Sequence, residues 1–517
     1  MMKRMLVLLS AATLCVGIAW VTNYSKEQTA SNAVETPATA ATPMPRRPAA
    51  FGINLFTLAY WGNERAFMNL AAGGAWRLIT SNWSELDPTR IDRDANVKWL
   101  QPGESVALAL TKPARAYKGD LLVRCTYDGK GAVGGVGMNG LRASPGRLDF
   151  IWKSDNLTSH FRIDASDPVD PIRNIDCREA DADPKALFDP DFVASIRAFK
   201  SVRFMDWQQA NTNMAGNWAM RTLPTATIQV GAGHGVALEH MVALANQAKV
   251  DPWFVLPWKG DVTYQENFAR YVHDRLDPSL KAYIEVGNEV WNRDFPVAKQ
   301  AIAEGMKLKL GKNEDEARMR RYAQRSVEVF KVWERVYADN PKRVVRVLSG
   351  QNAWPDLMLP ALTFGDTAQH IDALSSAVYF GQDLLANPPA DTNNLTPLFA
   401  QLNVSIDSTF ASASKFKQMA DAYGLRFISY EGGQHISYQG SDRTLSLRLN
   451  RDPRMGEAFR IFLTRWDREF GDLLMIYHLT SPMGTSASFG LREYPGQPLS
   501  QTPKLKAVLD AIAATRH

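Results

Sequence analysis

From about residue 200 onward this chain repeats one pattern: seven to nine largely apolar residues without alternation, then twelve or more residues of helical periodicity. The apolar runs span 201–207, 252–258, 282–289, 343–351, 373–380, 426–432 and 473–479. A strand with one wet face alternates apolar and polar residues. A strand covered on both faces reads apolar throughout, and such strands run parallel. The helical stretches are 236–250, 265–276, 314–337, 412–423 and 456–470, with 503–515 at the end. The connection 354–370 is less regular and reads only weakly as a helix.

Seven strand–helix units need one more strand to close, and Phe51–Phe56 (FGINLF) supplies it. Eight parallel strands alternating with helices predict an α/β fold, a (β/α)8 barrel. An open doubly wound sheet is the competing architecture. Its glycine fingerprint is incomplete, because Gly231-Ala232-Gly233-His234-Gly235 lacks the third glycine and reads as a turn. Residues 95–180 break the alternation with short β-like runs at 105–111, 120–127, 148–152, 160–163 and 172–177, punctuated by the stretch GKGAVGGVGMNG. They predict a small β-rich domain, an antiparallel sheet or sandwich, inserted after the first barrel strand. The first strand and the start of the barrel then occupy 51–94, and the remainder of the barrel 195–517.

The composition, 22% charged and 45% hydrophobic, is that of an ordered globular protein. The net charge is +5 and two of the positives are Lys3 and Arg4, so the body is near neutral and carries no basic stripe for nucleic acid. Lys3 and Arg4 precede an uncharged apolar run, Met5–Val21. Residues 1–21 read as an export signal or a membrane anchor, and both readings place the body in the periplasm or outside the cell. Leu14 before Cys15 argues against a lipoprotein, and the nearest small-x-small cleavage choice, Ser31-Asn32-Ala33, lies far downstream. The Ala/Thr/Pro-rich segment 22–50 reads as a linker. In an oxidising compartment Cys125 and Cys177 are expected to pair as a disulfide; two buried free thiols are the alternative.

Two strand ends carry a glutamate. The fourth barrel strand reads Tyr-Ile-Glu-Val-Gly-Asn288-Glu289, and the seventh Phe-Ile-Ser-Tyr-Glu431-Gly432-Gly433. Their separation of 142 residues spans three strand–helix units. Chemistry in such a barrel sits where strands end and loops begin. Two carboxyls facing each other across that mouth suit glycoside hydrolysis, one protonating the leaving oxygen while the other attacks the anomeric carbon. Asn-Glu alone means little, since it recurs at Asn63-Glu64 and Asn313-Glu314, and Asn63-Glu64 sits in the loop after the first strand on the same barrel face. Glu285 shares the inward parity of Glu289 and reads as a structural partner for Arg346 or Arg203.

The strand order and the two glutamates resemble clan A glycoside hydrolases, and the resemblance covers 51–56 and 195–515. The stretches IEVGNEVWN (284–292) and RYAQRSVEVFKVWE (321–334) also resemble bacterial exported proteins labelled cellulose-binding. The clan resemblance implies Glu289 as acid/base and Glu431 as nucleophile. It also implies Asn288 on the substrate 2-hydroxyl, Arg203 paired with the nucleophile, and Tyr379 hydrogen-bonded to it. The chain departs from the clan at four places: Val290 replaces the usual Pro, Gly432-Gly433 follow the second Glu, Tyr477 and His478 stand where strand eight usually ends in Trp, and Trp258 occupies the place of a strand-three His.

Arg203 beside Glu431 should keep that carboxylate ionised, whereas Glu289, facing it, should have its pKa raised. Trp207, Trp258, Trp291, Trp354, Tyr379 and Tyr477 are expected to line a cleft for sugar faces, with His435, Gln434 and His478 reaching hydroxyls. No cofactor or metal is expected. His234 and His240 are six apart, and no G-x-S-x-G, H-E-x-x-H, Walker or paired C-x-x-C motif occurs. The expectation is an exported, monomeric retaining hydrolase of a β-linked polysaccharide. A carbohydrate-binding envelope protein without turnover, and a scaffold in exopolysaccharide export, are the alternatives.

Overall fold

The computed structural model describes residues 44–212, 216–230, 235–389, 391–437, 443–484 and 488–515. The signal or anchor segment, Cys15, most of the linker, and His234 with its glycine-rich turn lie outside the described residues. Eight parallel strands form a closed barrel in chain order: Ala49–Asn54, Ser201–Arg203, Asp251–Leu256, Ala282–Val286, Val344–Gly350, Ala373–Phe380, Arg426–Gln434 and Asp472–Ile476. They are called here the first to eighth barrel strands. The first and eighth pair through Ala50–Leu473 and Phe51–Leu474, which closes the ring.

Each strand sends alternate side chains to two apolar layers. Trp253, Tyr283, Val345, Val347, Ile428, Tyr430, Leu473 and Met475 fill the barrel interior. Phe51, Ile53, Val202, Phe254, Ile284 and Val286 face outward onto helix residues such as Phe268, Phe330, Trp333 and Trp466. The covering helices are Pro190–Arg197, Leu238–Ala248, Val262–Arg275, Glu314–Val336, Thr396–Ala422, Pro453–Glu469 and Pro503–Thr515. After the fifth strand there is only the short helix Leu359–Leu362, flanked by the 3-10 turns Pro355–Met358 and Thr367–Gln369. Three helices escape the sequence reading: Pro190–Arg197, Pro296–Lys307 and Thr444–Arg451. The first has a legible start, with Asp189 accepting from the amides of Asp191 and Phe192 and proline at the first position.

The insertion is a two-sheet structure between the first and second barrel strands. One sheet runs Arg173–Glu179, Leu121–Asp128, Arg147–Trp152, Asn139–Ser144; the other runs Ser84–Glu85, Trp76–Leu78, Val106–Leu110, Ser159–Ser166, Gly131–Val136. The sheets share one core, with Val106, Leu108 and Phe161 from one meeting Val123, Leu148, Phe150 and Trp152 from the other. The β structure thus begins at Trp76 rather than near residue 95. The glycine-rich stretch contributes to two strands rather than punctuating others. Asn139–Ser144 is exposed along its whole length, so it carries no apolar alternation to read. Cys125 and Cys177 stand opposite each other in adjacent strands and are bonded. Arg65, in the loop after the first barrel strand, reaches Glu179 with both guanidinium nitrogens (2.6 and 2.7 Å) and ties the insertion to the barrel. Among the described residues no helix is long and apolar enough to cross a membrane.

Candidate active site

The second barrel strand is three residues long and ends on Arg203, whose side chain points into the barrel and is wholly buried. Its guanidinium joins three other strands. Nη1 donates to Glu431 Oε1 (2.7 Å) and to Asn54 Oδ1 (3.2 Å). Nη2 donates to Glu285 Oε2 and to Asn288 Oδ1, both at 2.9 Å. The indole N–H of Trp253 adds a further bond to Glu285 Oε2 (3.1 Å). Glu285 therefore pairs with Arg203; Arg346 instead pairs with Asp372 and Glu334, away from this mouth. A buried charge is tolerated only when paired and hydrogen-bonded, and this arrangement meets both conditions.

Strict alternation along the seventh strand would point Ile428 and Tyr430 inward and Glu431 outward. The strand escapes that parity through a bulge. Ser429 pairs with Ser376, but the next partner, Ala377, faces Glu431, so Tyr430 is an extra residue. Bulges re-aim side chains next to sites in this way. Tyr430 stays in the barrel interior, its ring 5.0 Å from the Arg203 guanidinium, while Glu431 also turns inward onto Arg203. The hydroxyl of Tyr379, on the neighbouring strand, donates to Glu431 Oε2 (2.8 Å). The two glycines that follow have a steric reason. Gly433 has φ 124°, and a Cβ at Gly432 would stand 2.9 Å from Val378.

The fourth strand ends at Val286. Gly287 (φ 66°) and Glu289 (φ 46°) then turn the chain so that Asn288 faces Arg203 and Glu289 faces Tyr430. Positive φ at a non-glycine residue costs about 1–3 kcal/mol and persists where the surroundings impose it. Tyr430 Oη donates to Glu289 Oε1 (3.2 Å) and Asn292 Nδ2 to Oε2 (3.0 Å). Asn288 has its amide donor on Asn211 Oδ1 (2.8 Å), a residue of the loop after the second strand.

Burial pushes the Glu289 carboxyl up to about 8, and the nearby charge of Glu431 pushes the same way; Asn292 and Tyr430 oppose it only in part. Burial also raises Glu431, against the pull of the Arg203 charge and the bonds from Arg203 and Tyr379. The sequence reading expected Arg203 alone to decide Glu431; desolvation is the larger influence. A fourth carboxyl enters at Asp206, hidden within what reads as a strand. Burial raises it to about 7, while Tyr477 Oη donates to its Oδ2 (3.0 Å). Asn211, Asp206 and Tyr430 are the site members that the sequence reading missed.

The aromatic residues expected at one face divide. Tyr379 and Tyr477 stand at the mouth, packed with Met205, Val255 and Phe489. Trp207 and Trp258 do not line the cleft. Both are buried in the layer between strands and helices, Trp207 stacked on Phe67 and Phe192, and Trp258 donating to Glu304. Trp291 is half-buried against the same layer. Trp354 is exposed on the rim after the fifth strand. His478 is buried under Phe56, ring to ring at 4.5 Å, and so is placed to support the wall rather than to meet a hydroxyl. Gln434 donates to the Ser488 carbonyl in the loop after the eighth strand and accepts from the Ile436 amide in its own loop. His435 lies half-buried against Tyr379 and Phe489, and burial lowers it to about 4, so the ring is neutral. Glu64 of the Asn63-Glu64 pair is buried beside Arg492 (3.5 Å), outside the Arg203 cluster. Among the described residues no group of His, Cys, Asp and Glu is arranged to hold a metal ion.

No family model and no curated protein matches the chain. Solved structures similar to it include glycoside hydrolases. The GH51 arabinofuranosidase from Xanthomonas axonopodis pv. citri is 12% identical, with a TM-score of 0.35 over 58% of this chain and 63% of that one. The GH39 enzyme from the same organism is 14% identical, with a TM-score of 0.34 over 63% of each chain. The beta-glucosidase from Thermotoga maritima is 10% identical, with a TM-score of 0.35 over 62% of this chain and 84% of that one. The chain spans less than two thirds of the length of the first two. Likeness at this level says nothing of the site, and the barrel assignment rests on the chain's own strand pairing.

Proposed function

We propose that the chain is an exported retaining glycoside hydrolase acting on a β-linked polysaccharide, with Glu431 as nucleophile and Glu289 as acid/base. One observation carries the reading: Glu431 and Glu289 are brought to one barrel mouth, joined through Tyr430 and Arg203, with different hydrogen-bond donors on each. Arg203 and Tyr379 hold the Glu431 oxygens in place for attack on C1. Glu289, raised to about 8, carries its proton at neutral pH and gives it to the leaving oxygen. The C1–O bond breaks as the Glu431–C1 ester forms. Esterification removes the Glu431 charge, so the push on Glu289 disappears and its proton affinity falls. Glu289 then takes a proton from water, whose oxygen attacks C1 and releases Glu431. Asn288, its carbonyl oxygen fixed by Arg203, is positioned to offer its amide to the 2-hydroxyl in exchange for Asn211.

The apolar run after Lys3 and Arg4 and the Cys125–Cys177 bond support a location outside the cytoplasm. Turnover is measured on β-glucan, cellulose, mannan and xylan. Glu431→Gln and Glu289→Gln are each expected to lose roughly 10^3-fold in kcat while circular dichroism stays unchanged. Azide should restore Glu431→Gly, giving a glycosyl azide. Full turnover in Glu431→Gln, or inverted product in a proton NMR time course, would refute the assignment.

A further inference from the structure

In a closed ring of eight strands, four and seven are three steps apart one way and five the other. A groove passing between Glu289 and Glu431 therefore leaves the mouth midway between the fifth and sixth strands on one side. On the other it leaves midway between the first and second. The loop after one of the two strands flanking each exit carries an exposed tryptophan. Trp354 follows the fifth strand and is 40% exposed; Trp61 follows the first and is 50% exposed. The other two strongly exposed tryptophans among the described residues, Trp83 and Trp99, belong to the insertion and lie against His160 and Arg90.

Both rings sit on pinned turns. The Trp354 amide is bonded to Gln351 O and Oε1 (3.1 and 3.0 Å), and Asn352 beside it is held by Ser376 and Thr409. The turn at Trp61 is closed by Gly62 N–H on Ala59 O (2.9 Å), and Asn63 Nδ2 binds the Glu493 carbonyl in the loop after the eighth strand. The Trp61 ring meets Phe56 edge to face, and Phe56 stacks on His478. From there Tyr477 and Tyr379 continue the wall to Glu431. An indole fixed in advance with a free face binds an apolar sugar face at little entropic cost.

The geometry points to Trp61 and Trp354 as sugar-stacking platforms at opposite ends of one open groove, so that the ligand is a glycan chain extending past the cleaved linkage on both sides and cut internally. This rests on the proposed glycosidase reading. The test separates the two by measuring binding and turnover independently. Binding to the Glu431→Gln variant is measured by calorimetry for di- and hexasaccharides of β-linked glucose, mannose and xylose. Trp61→Ala and Trp354→Ala are added to that background, with matched melting temperatures as the folding control. Each is expected to weaken hexasaccharide binding about five- to tenfold with disaccharide binding unchanged, and Trp→Phe should recover much of the loss. Retention of this pattern in a wild-type chain without turnover would uphold the groove and sink the hydrolase reading. Turnover of aryl glycosides with equal di- and hexasaccharide affinity would do the reverse. An effect from only one tryptophan, or no binding of any saccharide, overturns the two-ended groove.

Discussion

Replacing Glu289 with Gln removes a carboxyl that the folded chain prefers protonated and should stabilise the protein at neutral pH. The ordinary glutamate value is 4.5 and burial raises Glu289 to about 8. Between those values the unfolded chain has released the proton and the native chain still holds it. The native state then binds more protons, so wild-type stability falls as pH rises, at about 1.4 kcal/mol for each pH unit. The side chain is half-buried, which trims the effect to about 2–3 kcal/mol at pH 7. Gln has the same shape and no such slope. Asp206 is raised in both proteins and cancels from the comparison. Urea unfolding at pH 4.5, 6, 7 and 8.5, followed by tryptophan fluorescence, should give curves that coincide at the lowest pH. Glu289→Gln should pull ahead by about 2–3 kcal/mol at pH 7, and the gap should level off above about pH 8. A gap independent of pH would mean that Glu289 does not hold the proton, and its proposed role as acid would fall with it.

Tyr379→Phe removes a donor from Glu431, so the carboxyl should hold a proton to higher pH; the acidic limb of kcat/KM should move upward with roughly tenfold lower activity. An unmoved limb would show that Tyr379 does not tune Glu431. Gly433→Ala forces a Cβ into φ 124° and should cost about 1–3 kcal/mol in unfolding free energy. A melting temperature equal to wild type would contradict that backbone. Opening the Cys125–Cys177 bond releases a loop of 52 residues, which loop entropy values at about 4 kcal/mol, so the double serine variant should lose stability. Unchanged protease resistance of the insertion would argue against it.

The barrel is legible because a doubly covered strand has no polar face to hide behind. The same signal misleads at strand ends. Phe204 and Trp207 continue the apolar run of the second strand, yet the strand stops at Arg203 and both residues pack outward in the loop. Trp258 repeats this after the third strand. Hydropathy reports burial, not which side of the sheet a side chain is buried on, so cleft aromatics and core aromatics read alike. Glu431 was legible as a lone acid in an apolar run. Tyr430 was not, because inward placement of two consecutive residues requires a bulge, and a bulge is set by its partner strand. Asp206 was masked by the apolar residues on either side of it.

The two glutamates differ in who donates to them. Glu289 and Glu431 lie near one buried cation, Arg203, which also pairs with Glu285, so ionising both would leave excess negative charge in a region poor in water. A proton must go to one of them. Glu285 is bonded twice by Arg203 and once by Trp253. Glu431 receives one charged and one neutral donor. Glu289 receives only the neutral Tyr430 and Asn292, and its backbone turn keeps it out of Arg203's reach. Charged donors hold a carboxylate about twice as strongly as neutral ones, so the proton settles on Glu289. The proposed division into acid and nucleophile therefore rests on where one arginine can reach. Moving that charge, by Arg203→Lys, should blur the distinction, because a lysine ammonium is a point charge that cannot bridge Glu285, Glu431 and Asn288 at once.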